Sequence, residues 1–181
     1  MILFTITSCG SNSTKSKSSS DEDPVRDLTK TYANDQFSIA YPSTWKEKSG
    51  GPNGIAISFL SPKETPLDNF KENVNIIVQD LSGQSMDLEM YAELSESGIK
   101  SLINKGKIIE STRVHAEGKA AFHKIIYTAD ANGFHLKFEQ YYFVQAEKAF
   151  VVTLTCEEKR FDAFRKIGEK ILDSFVVKLS E

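Results

Sequence analysis

Apolar positions are densest between Lys107 and Cys156, where they alternate through four runs at 107–115, 119–129, 134–145 and 148–156. Each run is rich in Val, Ile, Phe, Tyr and Thr, which suit a pleated, half-buried surface. The gaps are short. Ala116-Glu117-Gly118 offers a glycine for a positive φ. Asn132-Gly133 is the pair a type I′ turn favours. Ala146-Glu147 sits between two long apolar runs. Connections this short join antiparallel neighbours, so the pattern predicts a four-stranded meander. In Phe150-Val151-Val152-Thr153-Leu154 both faces are apolar, which predicts a central strand covered on both sides. The run at 121–127 carries Ala121, His123, Ile125 and Tyr127 on one face and Phe122, Lys124 and Ile126 on the other. The run at 107–115 is polar on one side (Ser111, Arg113, His115) and reads as an edge.

Upstream, strands are predicted at 31–33, 37–41, 55–60 and 73–79, with a loop at 50–54 and an irregular stretch at 61–69. A helix is predicted over 87–104. Leu88, Tyr91, Ala92, Ser95, Ile99, Leu102 and Ile103 recur at helical spacing, Ser85 or Asp87 can cap it, and Lys105-Gly106 ends it. Gly98 inside it costs up to about 1 kcal/mol relative to alanine and suggests a close approach to the sheet. A last helix is predicted over 159–175, with Phe161, Phe164, Ile167, Ile171 and Leu172 as its buried stripe. The fold class is α+β: an antiparallel sheet of about six to seven strands, with the meander at its centre, sandwiched between helices.

A chain of 181 residues that is 40% hydrophobic can bury one domain's core. Its 22 basic and 25 acidic residues leave a net charge of −3, with no basic run and no interleaved aromatics, so no nucleic-acid partner is expected. The two cysteines differ. Cys156 falls in a strand and reads as a small buried hydrophobe. Cys9 ends Ile6-Thr7-Ser8-Cys9, after the apolar Ile2-Leu3-Phe4, and resembles a bacterial lipobox, in which small residues precede a cysteine that becomes lipidated. Residues 1–9 read as a shortened lipoprotein signal. Residues 10–28 read as a flexible Ser-rich tether, on the order of 20 Å end to end as a random coil. Residues 29–181 read as a single domain. No segment reaches the roughly 18 apolar residues that a bilayer span needs.

The opening Phe37-Ser38-Ile39-Ala40-Tyr41-Pro42-Ser43-Thr44-Trp45 is followed by Phe59-Leu60-Ser61-Pro62, Asn73-Val74-Asn75-Ile76 and a helix bearing Leu88 and Tyr91. Gly118-Lys119-Ala120 and Ile171-Leu172-Asp173-Ser174-Phe175 complete the series. In that order and spacing the sequence resembles the PsbP-like group: the extrinsic PsbP protein of photosystem II and its bacterial lipoprotein relatives. The Ran-binding nuclear import factor of eukaryotes is a second fold relative. The resemblance implies an α/β/α arrangement with an antiparallel sheet, in which Pro42, Trp45 and Phe175 act as fold determinants. It implies a binding module rather than an enzyme, since the family has no shared catalytic motif to carry over, and it does not by itself imply photosynthesis.

Candidate chemistry is sparse. His115, His123 and His135 all fall on meander strands and are the candidate metal ligands, against a reading as ordinary strand histidines. Their spacing matches no metal signature. Glu139 beside Lys137, with Asp130 at a turn, reads as a solvated sheet face with cross-strand charge pairs. There is no G-x-S-x-G elbow and no phosphate loop. Trp45 and Tyr141 are the candidates for a partner-binding patch, against simple core packing. The expectation is a lipid-anchored module of the cell envelope, on its periplasmic or outer side. It would lack catalysis and cofactors and support a membrane-associated assembly through an unidentified protein partner. The alternative is a small-ligand or metal-ion binder with a pocket between the sheet and the helix at 87–104.

Overall fold

The strand that is apolar on both faces takes the middle of the larger sheet. The computed structural model describes residues 27–102, 106–115, 118 and 120–178. Its strands are β1 (Leu28–Ala33), β2 (Phe37–Pro42), β3 (Lys46–Ser49), β4 (Ile55–Leu60), β5 (Asn73–Asp80), β6 (Lys107–Val114), β7 (Phe122–Ala131), β8 (Phe134–Gln145), β9 (Lys148–Glu157) and β10 (Val176–Val177). Its α-helices are α1 (Leu88–Leu102) and α2 (Phe161–Asp173). Seven strands form one antiparallel sheet in the order β3-β4-β5-β9-β8-β7-β6. The meander β6–β9 stands as predicted, with β6 at the edge. Cys9, the segment up to residue 26, and Asn104, Lys105, Ala116, Glu117 and Lys119 lie outside the described residues.

The alternation sorts side chains between two layers. On one face, Leu88, Tyr91 and Ala92 of α1 pack on Ile125, Tyr142 and Val151. On the other, the predicted α2 stripe of Phe161, Phe164, Ile167, Ile171 and Leu172 packs with Ile76, Val152 and Leu154. Asp87 caps α1, accepting the Met90 N–H at 2.9 Å. Ser85 does not: it sits in the preceding turn at φ 47°. Asn132 and Gly133 take φ 53° and 82°, as a type I′ turn requires. Ala146 and Glu147 adopt the same left-handed pair at 49° and 56°.

Two features depart from the pattern-based expectation. β1 and β2 do not join the main sheet. They pair with each other and with β10, as a second, three-stranded sheet beside α2. The partner of β2 lies near the end of the chain, Val176 opposite Ser38 and Val177 opposite Phe37, a pairing that local alternation cannot encode. β3 carries Lys-Glu-Lys-Ser, exposed throughout, and is held by its backbone register to β4. It has no apolar alternation to betray it.

Gly98 does not mark a close approach, because a Cβ there would meet nothing within 4 Å. Gly168 does: a Cβ there would stand 2.9 Å from Leu154 Cδ1 and closer still to Cδ2, and Leu154 is wholly buried. The same substitution is therefore expected to act with opposite signs. Gly98→Ala should stabilise the fold by up to about 1 kcal/mol through helix propensity. Gly168→Ala should destabilise it by about 1–2 kcal/mol, because overpacking against β9 outweighs that gain. Urea midpoints of the two variants check this.

Candidate functional site

The small sheet does not reach across to the free edge of the meander, and a cavity opens in the gap. Phe122, Tyr141 and Phe143 alternate onto the α2 face of β7 and β8, and β6 contributes Val114 at its end. The opposite wall is Leu172 and Asp173 at the end of α2, then Phe175 and β10. The end of α2 is pinned in place. Ser174 Oγ donates to the Ile171 carbonyl at 2.6 Å and accepts the Ala40 N–H of β2 at 2.9 Å. That stops the helix and turns the chain into β10. The cavity measures about 390 Å³. Its rings support one another: Phe122 stacks on Tyr141 at 4.4 Å, and Phe143 lies 5.4 Å from Phe122 and 5.0 Å from Phe175.

One wall is polar. The Tyr141 hydroxyl donates to the Asp173 carboxylate, and Asp173 is exposed at the mouth. Burial pushes the Tyr141 phenol far above its ordinary value, and the carboxylates of Glu139, Asp173 and Glu169 add to that. Glu139, two residues away on the same face of β8, is fully buried. It is not the solvated sheet residue that its neighbours suggest. Lys124 Nζ of β7 stands 3.3 Å from it and 3.5 Å from Glu110 on β6. Burial holds the Glu139 carboxyl above the usual range, with Lys124 opposing. Arg165 and Glu169 of α2 pair with each other at 2.9 Å.

The sequence-predicted candidates scatter. Tyr141 lines the cavity. Trp45 does not reach any surface: it is 2% exposed and packs near Phe164, so it serves the core. The three histidines are not brought together. His115 is exposed at the end of β6. His123 lies on the α1 face, with Nε2 2.8 Å from Ser111 Oγ, and Ser111 in turn donates to Glu96 at 3.1 Å. Burial lowers the His123 pKa, against the pull of Glu89 and Glu96. His135 pairs with Asp130 across the far end of β7 and β8, about 23 Å along the strand from His123 at ~3.3 Å per residue and on the opposite face. Among the described residues no group of three or more His, Cys, Asp or Glu is placed to hold a metal ion. Cys156 is a buried free thiol, pushed up by burial. Beside α1, among the described residues, lie hollows open to solvent, such as the one lined by Gln79, Leu81, Tyr91 and Leu94. The deeper cavity at the end of α2 lies on the opposite face of the sheet from the one expected.

Phe122, Phe175 and Asp173 were not singled out as site residues. Phe122 shares its face with Lys124, and Asp173 falls just past the apolar stripe of α2. Those two departures from the core pattern are the available signals.

A family model described as "PsbP-like protein" matches residues 2–177. A search of curated proteins finds no match. Among solved structures, the chain is similar to the cyanobacterial PsbP protein CyanoP of Synechocystis sp. PCC 6803, with TM-score 0.62 and 14% identity over 96% of this chain and 99% of that one. It is similar to a Pseudomonas aeruginosa protein of unknown function, PA94, with TM-score 0.61 and 14% identity over 83% and 98%. It is also similar to LpqN of Mycobacterium tuberculosis, a protein described as involved in cell envelope biogenesis, with TM-score 0.60 and 11% identity over 79% and 83%. At these identities the likeness is one of fold.

Proposed function

The chain belongs to the PsbP-like family, and from that premise we propose that it is a binding module of the cell envelope. It has no catalysis of its own, is held at a membrane through Cys9, and supports a membrane-associated assembly by gripping a partner protein. The observation that carries this reading is the aromatic cavity at the end of α2, whose described lining includes no serine, cysteine or histidine. Fold alone does not fix function, so the site bears the argument. The Ser111–His123 contact lies elsewhere, and His123 Nδ1 has no hydrogen-bond partner, whereas a catalytic triad needs an acid behind that atom. The fold likeness to LpqN supports an envelope location, and the lipobox-like residues ahead of Cys9 support an anchor.

A second reading, a small-ligand binder, is favoured by the cavity's volume, which falls in the range of about 300–1,000 Å³ typical of ligand sites.

In-cell crosslinking of the full-length protein with mass spectrometry, beside a Cys9→Ala control, tests the leading reading. The expected result is one recurrent membrane partner that disappears from the control. Absence of any partner, with the untethered protein behaving identically, overturns it.

A further inference from the structure

Of the three histidines, His123 alone is buried, with 8% of its surface exposed. It shares the α1 face of β7 with Ile125 and Tyr127. A chain of hydrogen bonds ties it to that helix. Ser111 Oγ of β6 lies 2.8 Å from His123 Nε2 and donates to Glu96 of α1 at 3.1 Å. Lys100 and Ser111 hold the Glu96 carboxyl below the usual range, so it stays an acceptor. A hydroxyl has one proton to give. With that proton on Glu96, Nε2 must carry the imidazole hydrogen and donate to Ser111. Nδ1 is then the bare nitrogen, and it is buried with no hydrogen-bond partner. A second proton would put an N–H on Nδ1 where nothing accepts it, and a buried donor left unsatisfied is costly.

Three elements face His123. α1 brings Glu89 and Glu96, and β6 brings Ser111 and Arg113. β8 brings Tyr142, whose ring stacks on the imidazole at 6.3 Å. Burial is the dominant influence and lowers the His123 pKa. Glu89 and Glu96 pull the other way, while Arg113, paired with Glu89 at 3.3 Å, adds to the lowering. α1 is also the more lightly seated helix. Among the described residues it buries Leu88, Tyr91 and Ala92, whereas α2 buries six. A segment with few buried apolar contacts opens at lower cost than the rest of the fold.

We infer that His123 is an acid-sensitive latch on α1. Neutral, it holds the helix to the sheet through Ser111 and Glu96. Protonated, it lets the helix lift and bare Ile125, Tyr142 and Val151. The closed form has the lower His123 pKa, so below the ordinary 6.5 it binds fewer protons than the open form. The closed form is therefore fully favoured above 6.5 and loses ground as pH falls through 6.5 towards the folded value. At pH 5 the loss reaches at most about 30-fold, the limit for a histidine that stays neutral when closed. The latch is independent of the cavity, which lies on the other face.

Amide hydrogen exchange of the full chain at pH 5 and pH 7, corrected for intrinsic rates, tests the latch. Protection of α1 amides should fall by about threefold to 30-fold at pH 5, measured against the amides of β9. The β9 reference removes the contribution of Glu139, whose raised pKa favours the whole fold as pH falls. His123→Gln keeps an N–H for Ser111 and takes no proton in this range. Its α1-to-β9 ratio should be the same at both pH values, whatever its overall stability. His115→Gln and His135→Gln should respond as the parent does. Imidazole nitrogen shifts in NMR should show His123 as the Nε2–H tautomer, titrating below 6.5. Equal α1 protection at both pH values, a fall that persists in His123→Gln, or an Nδ1–H tautomer each overturns the inference.

Discussion

Phe37→Ala is expected to cost about 3–5 kcal/mol, the range for emptying a fully buried phenylalanine site. Phe37 is 0% exposed and belongs to three structural units at once. Its ring lies 5.8 Å from Tyr32 of the small sheet, 6.3 Å from Phe150 of the central strand and 5.5 Å from Phe175 beyond α2. Its backbone also holds β10 opposite Val177. Truncation leaves a void that none of the three units can fill without moving the others. At about 2–4 °C per kcal/mol for a domain of this size, the melting temperature should fall by roughly 6–20 °C. Val176→Ala, at a position 55% exposed, should cost less than about 0.5 kcal/mol. Because Phe175 is also a cavity wall, the Phe37 variant should lose cavity binding before it loses its far-ultraviolet spectrum. A loss of under about 1 kcal/mol would mean that the small sheet is only loosely coupled to the core.

Much of this architecture is written in periodicity, and the limits of that language are physical. The double apolar face of 150–154 placed β9 at the centre, and the 3.6-residue stripe of α2 named five of its buried residues. Both are facts about local burial, which alternation records directly. β3 and β10 escaped because one is wholly exposed and the other is two residues long. Gly98 and Gly168 show the same limit in a single residue type. Both sit inside helices, yet period says nothing about how near the helix axis comes to the sheet. The cavity is assembled from residues separated by up to some sixty positions, including Val114 of β6 and Phe175 beyond α2. No spacing rule joins them. Glu139 looked solvated because its sequence neighbours are polar, whereas its burial is decided by α2, which arrives later in the chain.

Lys124→Met is expected to destabilise the protein by about 3 kcal/mol at pH 7, and by much less at pH 5. Methionine keeps the length and packing of the lysine stem and removes the charge. What remains is a fully buried carboxylate whose strongest neutralising partner is gone, since Lys124 Nζ at 3.3 Å is the cation that meets Glu139. Losing one member of such a pair typically costs about 3–5 kcal/mol. Here proton uptake sets a ceiling. Glu139 can escape by protonating, which costs about 1.4 kcal/mol per pH unit above its unfolded value. Starting from the ordinary 4.5, that amounts to about 3.4 kcal/mol at pH 7 and about 0.7 kcal/mol at pH 5. The sign follows from the raised folded pKa. As pH climbs past 4.5, the unfolded chain releases its proton first and binds fewer protons than the folded one. Stability therefore falls with rising pH until the folded value is passed, then levels off. Without Lys124 that folded value rises further and the falling window widens toward neutrality. Lys124→Met combined with Glu139→Met should return to within about 1 kcal/mol of the parent, because an apolar pair of similar volume carries no desolvation cost. Guanidinium unfolding of the single and double variants at pH 5 and pH 7 measures all of this. An equal loss at both pH values would show that Lys124 acts through its packed stem. A loss confined to pH 7 and cancelled in the double variant would show that the strand beside the cavity is held by a buried charge pair.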